Sequence, residues 1–147
     1  MKCLTRIAAA LLAAHCLFAH ADETEPMGGI GNADAREIQE AVQTQLDALA
    51  VDDAAAAFEM ATPAKRMLIG SPAHFMDIIR EQYPAIYRYL GAIFSQPEVL
   101  DGIVVQTVWV TSGDRHVWLA IFGMERDENG RWKIDGCELL ETTTVAI

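Results

Sequence analysis

Two β-rich runs, Ile103–Thr111 and His116–Arg126, follow one another with Ser112-Gly113-Asp114 between them. β-Branched and aromatic residues dominate the first run. An antiparallel sheet with one wet face alternates apolar and polar residues. Here both alternating sets are apolar. With Gly113-Asp114 at the tip of the hairpin, Trp109 stands opposite Trp118 and Val105 opposite Phe122. One face then carries Ile103, Val105, Thr107, Trp109, Trp118, Ala120 and Phe122, and the other carries Val104, Val108, Val110, Val117, Leu119 and Ile121. One extra residue in the turn would swap the assignment. Helices can cover one side, assigned to the aliphatic one. The aromatic side then needs a ligand, the chain's own tail or a second subunit.

Upstream the periodicity changes. Over residues 33–50, Ile38, Val42, Leu46 and Leu49 fall at steps of four, four and three, the stripe of an amphipathic helix. Asp52 or Asp53 can cap a second helix over 54–61, anchored by Phe58. Thr62-Pro63 breaks it. A short helix over 64–69 stops at Gly70. Ser71-Pro72 opens another, with Phe75, Ile78, Ile79 and Gln82 or Tyr83 on its buried side, and Pro84 closes it. Residues 87–95 are a strand candidate weakened by Gly91. Asn129-Gly130 marks a tight hairpin turn before a last strand over 132–142. Helices first and strands last predict an α+β domain, with N-terminal helices packed on a curved antiparallel sheet of about four strands.

The N-terminus has the layout of a cleavable export signal. Lys2 and Arg6 precede an apolar stretch of 12 residues over 7–18, broken only by His15, and Ala19-His20-Ala21 precedes Asp22. Spanning a bilayer takes about 20 apolar residues, so the stretch is too short for a membrane helix. Cleavage is expected between Ala21 and Asp22; the alternative is an amphipathic first helix of the fold. Acylation of Cys16 would need a small residue before it, and His15 is not small, so no stable membrane anchor is expected. Residues 22–32, acidic and glycine-rich, read as a flexible tether to a single domain over 33–147. The glycines there follow no strand and fit no nucleotide fingerprint.

Cleavage removes Cys3 and Cys16 and leaves Cys137 without an internal partner. A disulfide-free acidic domain behind an export signal points to a periplasm. The chain has 11 Lys+Arg against 21 Asp+Glu, a net of −10, and its first 21 residues hold two of the basic groups and no acid. Such a charge repels phosphate backbones and anionic lipid, so nucleic acid is not an expected partner.

The order of elements resembles the cone-shaped fold of the nuclear transport factor two-like, or cystatin-like, superfamily. Within it the chain resembles the bacterial family catalogued as domain of unknown function 4864. The residues that carry the likeness are Ala50-Val51-Asp52-Asp53 with Ala57-Phe58, Ala61-Thr62-Pro63, Phe75-Met76, Tyr83-Pro84 and Trp132-Lys133-Ile134-Asp135-Gly136-Cys137-Glu138-Leu139. The likeness covers roughly residues 33–142. It implies a fold and brings no catalytic set, and relatives in the superfamily range from isomerases to assembly domains. It also implies sheet-to-sheet pairing of two copies. A homodimer through Val105, Thr107, Trp109, Trp118, Ala120 and Phe122 is therefore expected.

Few residues point to chemistry. Asp135 and Glu138 interrupt an apolar strand; on a concave face such a carboxylate can serve as a general base, and otherwise it pairs across the hairpin with Arg126, Arg131 or Lys133. Tyr83, Tyr87 and Tyr89 lie where the last helix hands over to the sheet, to orient a ligand or to seal the core edge. Cys137 beside Asp135 and Glu138 reads as a buried, inert thiol. His74 and Asp77 share a helix face without a third ligand, so no metal site is expected, and no cofactor pattern is present. The leading expectation is a non-enzymatic binding or assembly module, homodimeric, with an apolar small-ligand pocket. The alternative is a cofactor-free lyase, isomerase or hydrolase using a pocket carboxylate and a tyrosine.

Overall fold

A computed structural model describes residues 29–145. The expected export signal, its expected cleavage point between Ala21 and Asp22, and most of the expected tether lie outside the described residues. Four helices come first: α1 Asn32–Ala50, α2 Ala54–Glu59, α3 Pro63–Ile69 and α4 Pro72–Gln82. Five strands follow: β1 Gly91–Phe94, β2 Glu98–Leu100, β3 Ile103–Thr111, β4 His116–Arg126 and β5 Trp132–Val145. They form one open antiparallel sheet in the order β1-β3-β4-β5, with β2 also paired to β3. The architecture is α+β. No helix among the described residues is long and apolar enough to cross a membrane.

The helices follow local chemistry. Ile38, Val42, Leu46 and Leu49 are all fully buried, as their spacing requires. Asp53 caps α2 through the Ala56 amide, Thr62 caps α3 through Lys65, and Ser71 caps α4 through His74. Phe58 and Phe75 meet with ring centroids 5.8 Å apart and join α2 to α4.

The turns differ from expectation, and the faces change with them. Ser112 N–H bonds to His116 O at 2.9 Å, so the β3–β4 tip holds three residues, the last of which, Arg115, is left-handed with φ 68°. This is the turn plus bulge of a three-residue hairpin. Asp114 favours it by accepting from the Ser112 hydroxyl and from the His116 backbone. Trp109 therefore pairs with Leu119, and Trp118 with Val110. Ala120 and Phe122 face the helices and are fully buried. The expected grouping of Trp118, Ala120 and Phe122 with Trp109 is thus corrected: half of the hairpin changes sides.

Three more corrections have the same local character. The Asn129-Gly130 turn is also a three-residue tip, closed by Asp127 N–H to Arg131 O at 2.8 Å. The strand expected over 87–95 shrinks to Gly91–Phe94, because residues 84–88 form turns and Arg88 is left-handed with φ 51°. The fifth strand, β2, comes from Asp101-Gly102, whose φ values of 50° and 80° make the tight two-residue turn that pairs Leu100 with Ile103.

The outer sheet face stays apolar, with other members. Ile93, Trp109, Leu119 and Leu140 are register partners in a row across β1, β3, β4 and β5. Ile93 is 72% exposed, and Trp109 and Leu140 are 43% exposed. Thr107 and Ile121 pair in the next outward row, and Val105 lies beyond them, itself buried.

Neighbouring residues on β4 should therefore respond oppositely to truncation. Phe122→Ala should lower unfolding free energy by about 3–5 kcal/mol. Ile121→Ala should cost less than half as much. Urea denaturation of both variants checks this, and the reverse order would restore the two-residue turn.

Candidate functional site

Residues 60–62 dock as a parallel bridge on the outer edge of β5. Thr62 N–H bonds to Ile134 O at 2.9 Å, and Ile134 N–H bonds to Met60 O at 2.8 Å. The bridge sets α3 beside β5 and holds its first turn there. Just beyond it β5 bulges, since Ile134 pairs with Met124 while Gly136 pairs with Gly123 and Asp135 is left over. The Thr62 hydroxyl donates to Asp135 Oδ1 at 3.1 Å and accepts from Lys65 N–H. One side chain thus ties the bulge to the start of the helix. Lys133, buried, donates from Nζ to Glu59 O at 2.8 Å and anchors the preceding helix to the same strand.

A pocket of about 230 Å³ opens between α3, α4 and β5. Leu68 and Ile69 of α3, Phe75, Ile78 and Ile79 of α4, and Ile134 and Cys137 of β5 form its apolar walls. Its polar lining comes from Gln45, Lys65, Tyr83 and Asp135. Gln45 is buried and spends its amide on Ala57 O at 3.1 Å. Met67 and Leu68 on α3 are 86% and 80% exposed, so the outer surface of that helix is apolar as well.

The structure sorts the sequence candidates. Asp135, Tyr83 and Cys137 line the pocket. Glu138 pairs with Ile121 in the outward row, on the opposite side of β5 from Cys137, and is exposed. The three tyrosines separate. The Tyr87 hydroxyl donates to Asp52 Oδ1 at 2.6 Å, and the Tyr89 hydroxyl donates to Asp47 at 3.2 Å while accepting from Gln43 at 3.1 Å. Burial pushes the Tyr89 hydroxyl to a higher pKa. Both rings brace the 83–90 connector against the helices, and only Tyr83 reaches the pocket. Burial pushes the Cys137 thiol up to about 12, with the Glu138 carboxylate adding to the effect.

Sequence reasoning missed a charged cluster on Asp52. This residue is left-handed, with φ 56°, and does not cap α2. Its carboxylate accepts from Tyr87, Arg80 and Arg88, and both guanidinium groups lie 5.5 Å from the Tyr87 ring centre. The cluster links the α1–α2 turn to α4 and to the chain leading into β1. The only local signal was an acid in a tight turn; its partners lie 28 to 36 residues away.

Ser112, Asp114 and His116 also meet, in the β3–β4 turn. The serine hydroxyl points to the Asp114 carboxylate and to His116 O, not to the imidazole, so the set stabilises a turn and does not activate a nucleophile. Asp77 pairs with Arg80 rather than His74. No group of three His, Cys, Asp or Glu side chains suited to a metal occurs among the described residues.

The family described as a domain of unknown function (DUF4864) matches residues 31–147, and the chain belongs to it. No curated protein and no solved structure matched the chain.

Two outcomes follow from the charges. Tyr87 foremost, then Arg88, holds Asp52 at about 2 instead of 3.8. The folded chain therefore takes up this proton less readily than the unfolded chain. The stabilisation is complete above about pH 4 and is lost as pH falls toward 2. Asp52→Asn should lower the urea midpoint at pH 6 and converge with the wild type near pH 2. Asp114, also held at about 2 by Ser112 and His116, titrates in both proteins and cancels in the comparison. Separately, iodoacetamide at pH 8 should modify Cys137 slowly in the folded protein and quickly in urea. Rapid modification of the folded protein would contradict the raised thiol pKa.

Proposed function

We propose that this member of the family is a non-catalytic periplasmic binding module whose site is the pocket between α3, α4 and β5. The observation that carries the reading is an apolar concavity with few polar groups, walled by α3, α4 and β5. Asp135 argues for binding over catalysis, because its carboxylate is engaged by the Thr62 hydroxyl that also caps α3. The second reading is a cofactor-free enzyme using Asp135 and Tyr83, which share the pocket. Glu138 has no part in it.

The module is proposed to be a homodimer through the outer sheet face. The row Ile93, Trp109, Leu119 and Leu140 supports this, with Thr107 and Ile121 beside it. Aromatic and aliphatic side chains left in water across four strands favour association. Four helices ahead of an antiparallel sheet also support the proposed likeness to the nuclear transport factor two-like superfamily. Export rests on the order of Lys2, Arg6, the apolar stretch and Ala21-Asp22.

Indole matches the pocket in size and polarity. Titrated into labelled protein, it should shift the amide resonances of Ile79, Gly136 and Cys137 saturably, and Ile78→Trp, which fills the pocket, should abolish the shifts. Unmoved resonances would overturn the binding reading. Light scattering on size exclusion at micromolar concentration should give twice the chain mass, and Trp109→Glu should halve it. A monomeric wild type would remove the dimer.

A further inference from the structure

We infer that the pocket is the side-chain subsite of a peptide-binding sheet edge: an extended, basic segment of another protein adds to the free side of β5 and seats one large apolar side chain in the pocket. This rests on the binding reading above and names its ligand class.

β5 is the last strand of the sheet, with β4 on one side. On the other side, among the described residues, main-chain partners reach it only at Ile134, through Met60 and Thr62. From Gly136 to Glu141 that side carries no main-chain partner among the described residues. Unpaired N–H and C=O groups in a row are a template for another strand. The bridge at Ile134 already shows this edge pairing with a passing segment. The pocket begins where the bridge ends, with Gly136 and Cys137 in its wall. Gly136 is exposed, and nothing lies within 4 Å of the place a Cβ would occupy there. An added strand would turn alternate side chains toward the helices, and one of them would meet the opening.

Size and charge select the occupant. Small-molecule sites usually measure about 300–1,000 Å³. At about 230 Å³ the pocket falls below that range and suits a single apolar side chain such as that of leucine or phenylalanine. Exposed Met67 and Leu68 offer apolar surface for the neighbouring side chains. Along β5, Asp135, Glu138 and Glu141 form no ion pair among the described residues, and Lys133 turns away to Glu59. A basic segment would complement them. A second copy of this chain would set the same acids against one another, which disfavours it.

The test uses the full exported chain and the synthetic peptide acetyl-KVKFKVK-amide, which alternates apolar and basic side chains. Fluorescence anisotropy should show saturable binding, with amide shifts confined to β5, α3 and α4. N-methylation of alternate residues removes main-chain donors and keeps the side chains; it should weaken binding at least tenfold. The acidic analogue acetyl-EVEFEVE-amide should bind at least tenfold more weakly, as should the basic peptide on Ile78→Trp. Equal binding of the N-methylated peptide overturns the edge, and equal binding of the acidic peptide overturns the charge argument. If no peptide binds while indole still shifts the pocket, the peptide inference fails and the pocket reading stands. If indole also fails, both fall. Self-association that Trp109→Glu does not reduce, with β5 shielded from the peptide, overturns the inference as well.

Discussion

Helices and strands meet at the pocket end through two main-chain hydrogen bonds, between Thr62 and Ile134 and between Ile134 and Met60. Their placement determines what surrounds them. They hold the capping residue of α3 against β5, just before Asp135 bulges out of the ladder. A seven-residue helix with no buried residue of its own would not persist in water without such an anchor. With it, α3 stands as one wall of a cavity whose other walls are α4 and β5. Among the described residues, the same strap covers that edge at Ile134 and leaves the positions from Gly136 to Glu141, beside the cavity, without a main-chain partner.

A second constraint comes from the sheet. Both its faces are apolar, and the described residues supply one helical layer. Phe122, Ala120, Val108 and Val110 take the helix side and are fully buried. The remainder, led by Trp109 and Ile93, stays in contact with water in a single copy. The apolar content that builds the core therefore exceeds what the helices cover, and the excess forms an exposed apolar surface.

The local elements were readable from the residues. The apolar stripe of α1, the Asp53 and Ser71 caps, the Gly70 stop and the β composition of 103–126 each follow from neighbours within a few positions. Register was not, because it depends on whether a turn holds two residues or three. Gly113-Asp114 and Asn129-Gly130 both suggest two, yet Ser112–Asp114 and Asp127–Arg131 contacts favour three. Asp101-Gly102 carried the signal for β2 and makes the tight turn it advertises. For the site, Asp135 and Tyr83 were visible as candidates. The cavity was not, since it depends on a bridge between residues 62 and 134. The Asp52 cluster stayed hidden for the same reason: its arginines and tyrosine arrive from a distant part of the chain.

Amide hydrogen exchange along β5 and the strap measures the arrangement most directly. The Thr62 and Ile134 amides should be protected to the level of the β3–β4 ladder, while alternate amides between Cys137 and Glu141 exchange orders of magnitude faster. Rapid exchange at Thr62 and Ile134, or uniform protection from Cys137 to Glu141, would contradict a strapped cavity beside an open strand edge.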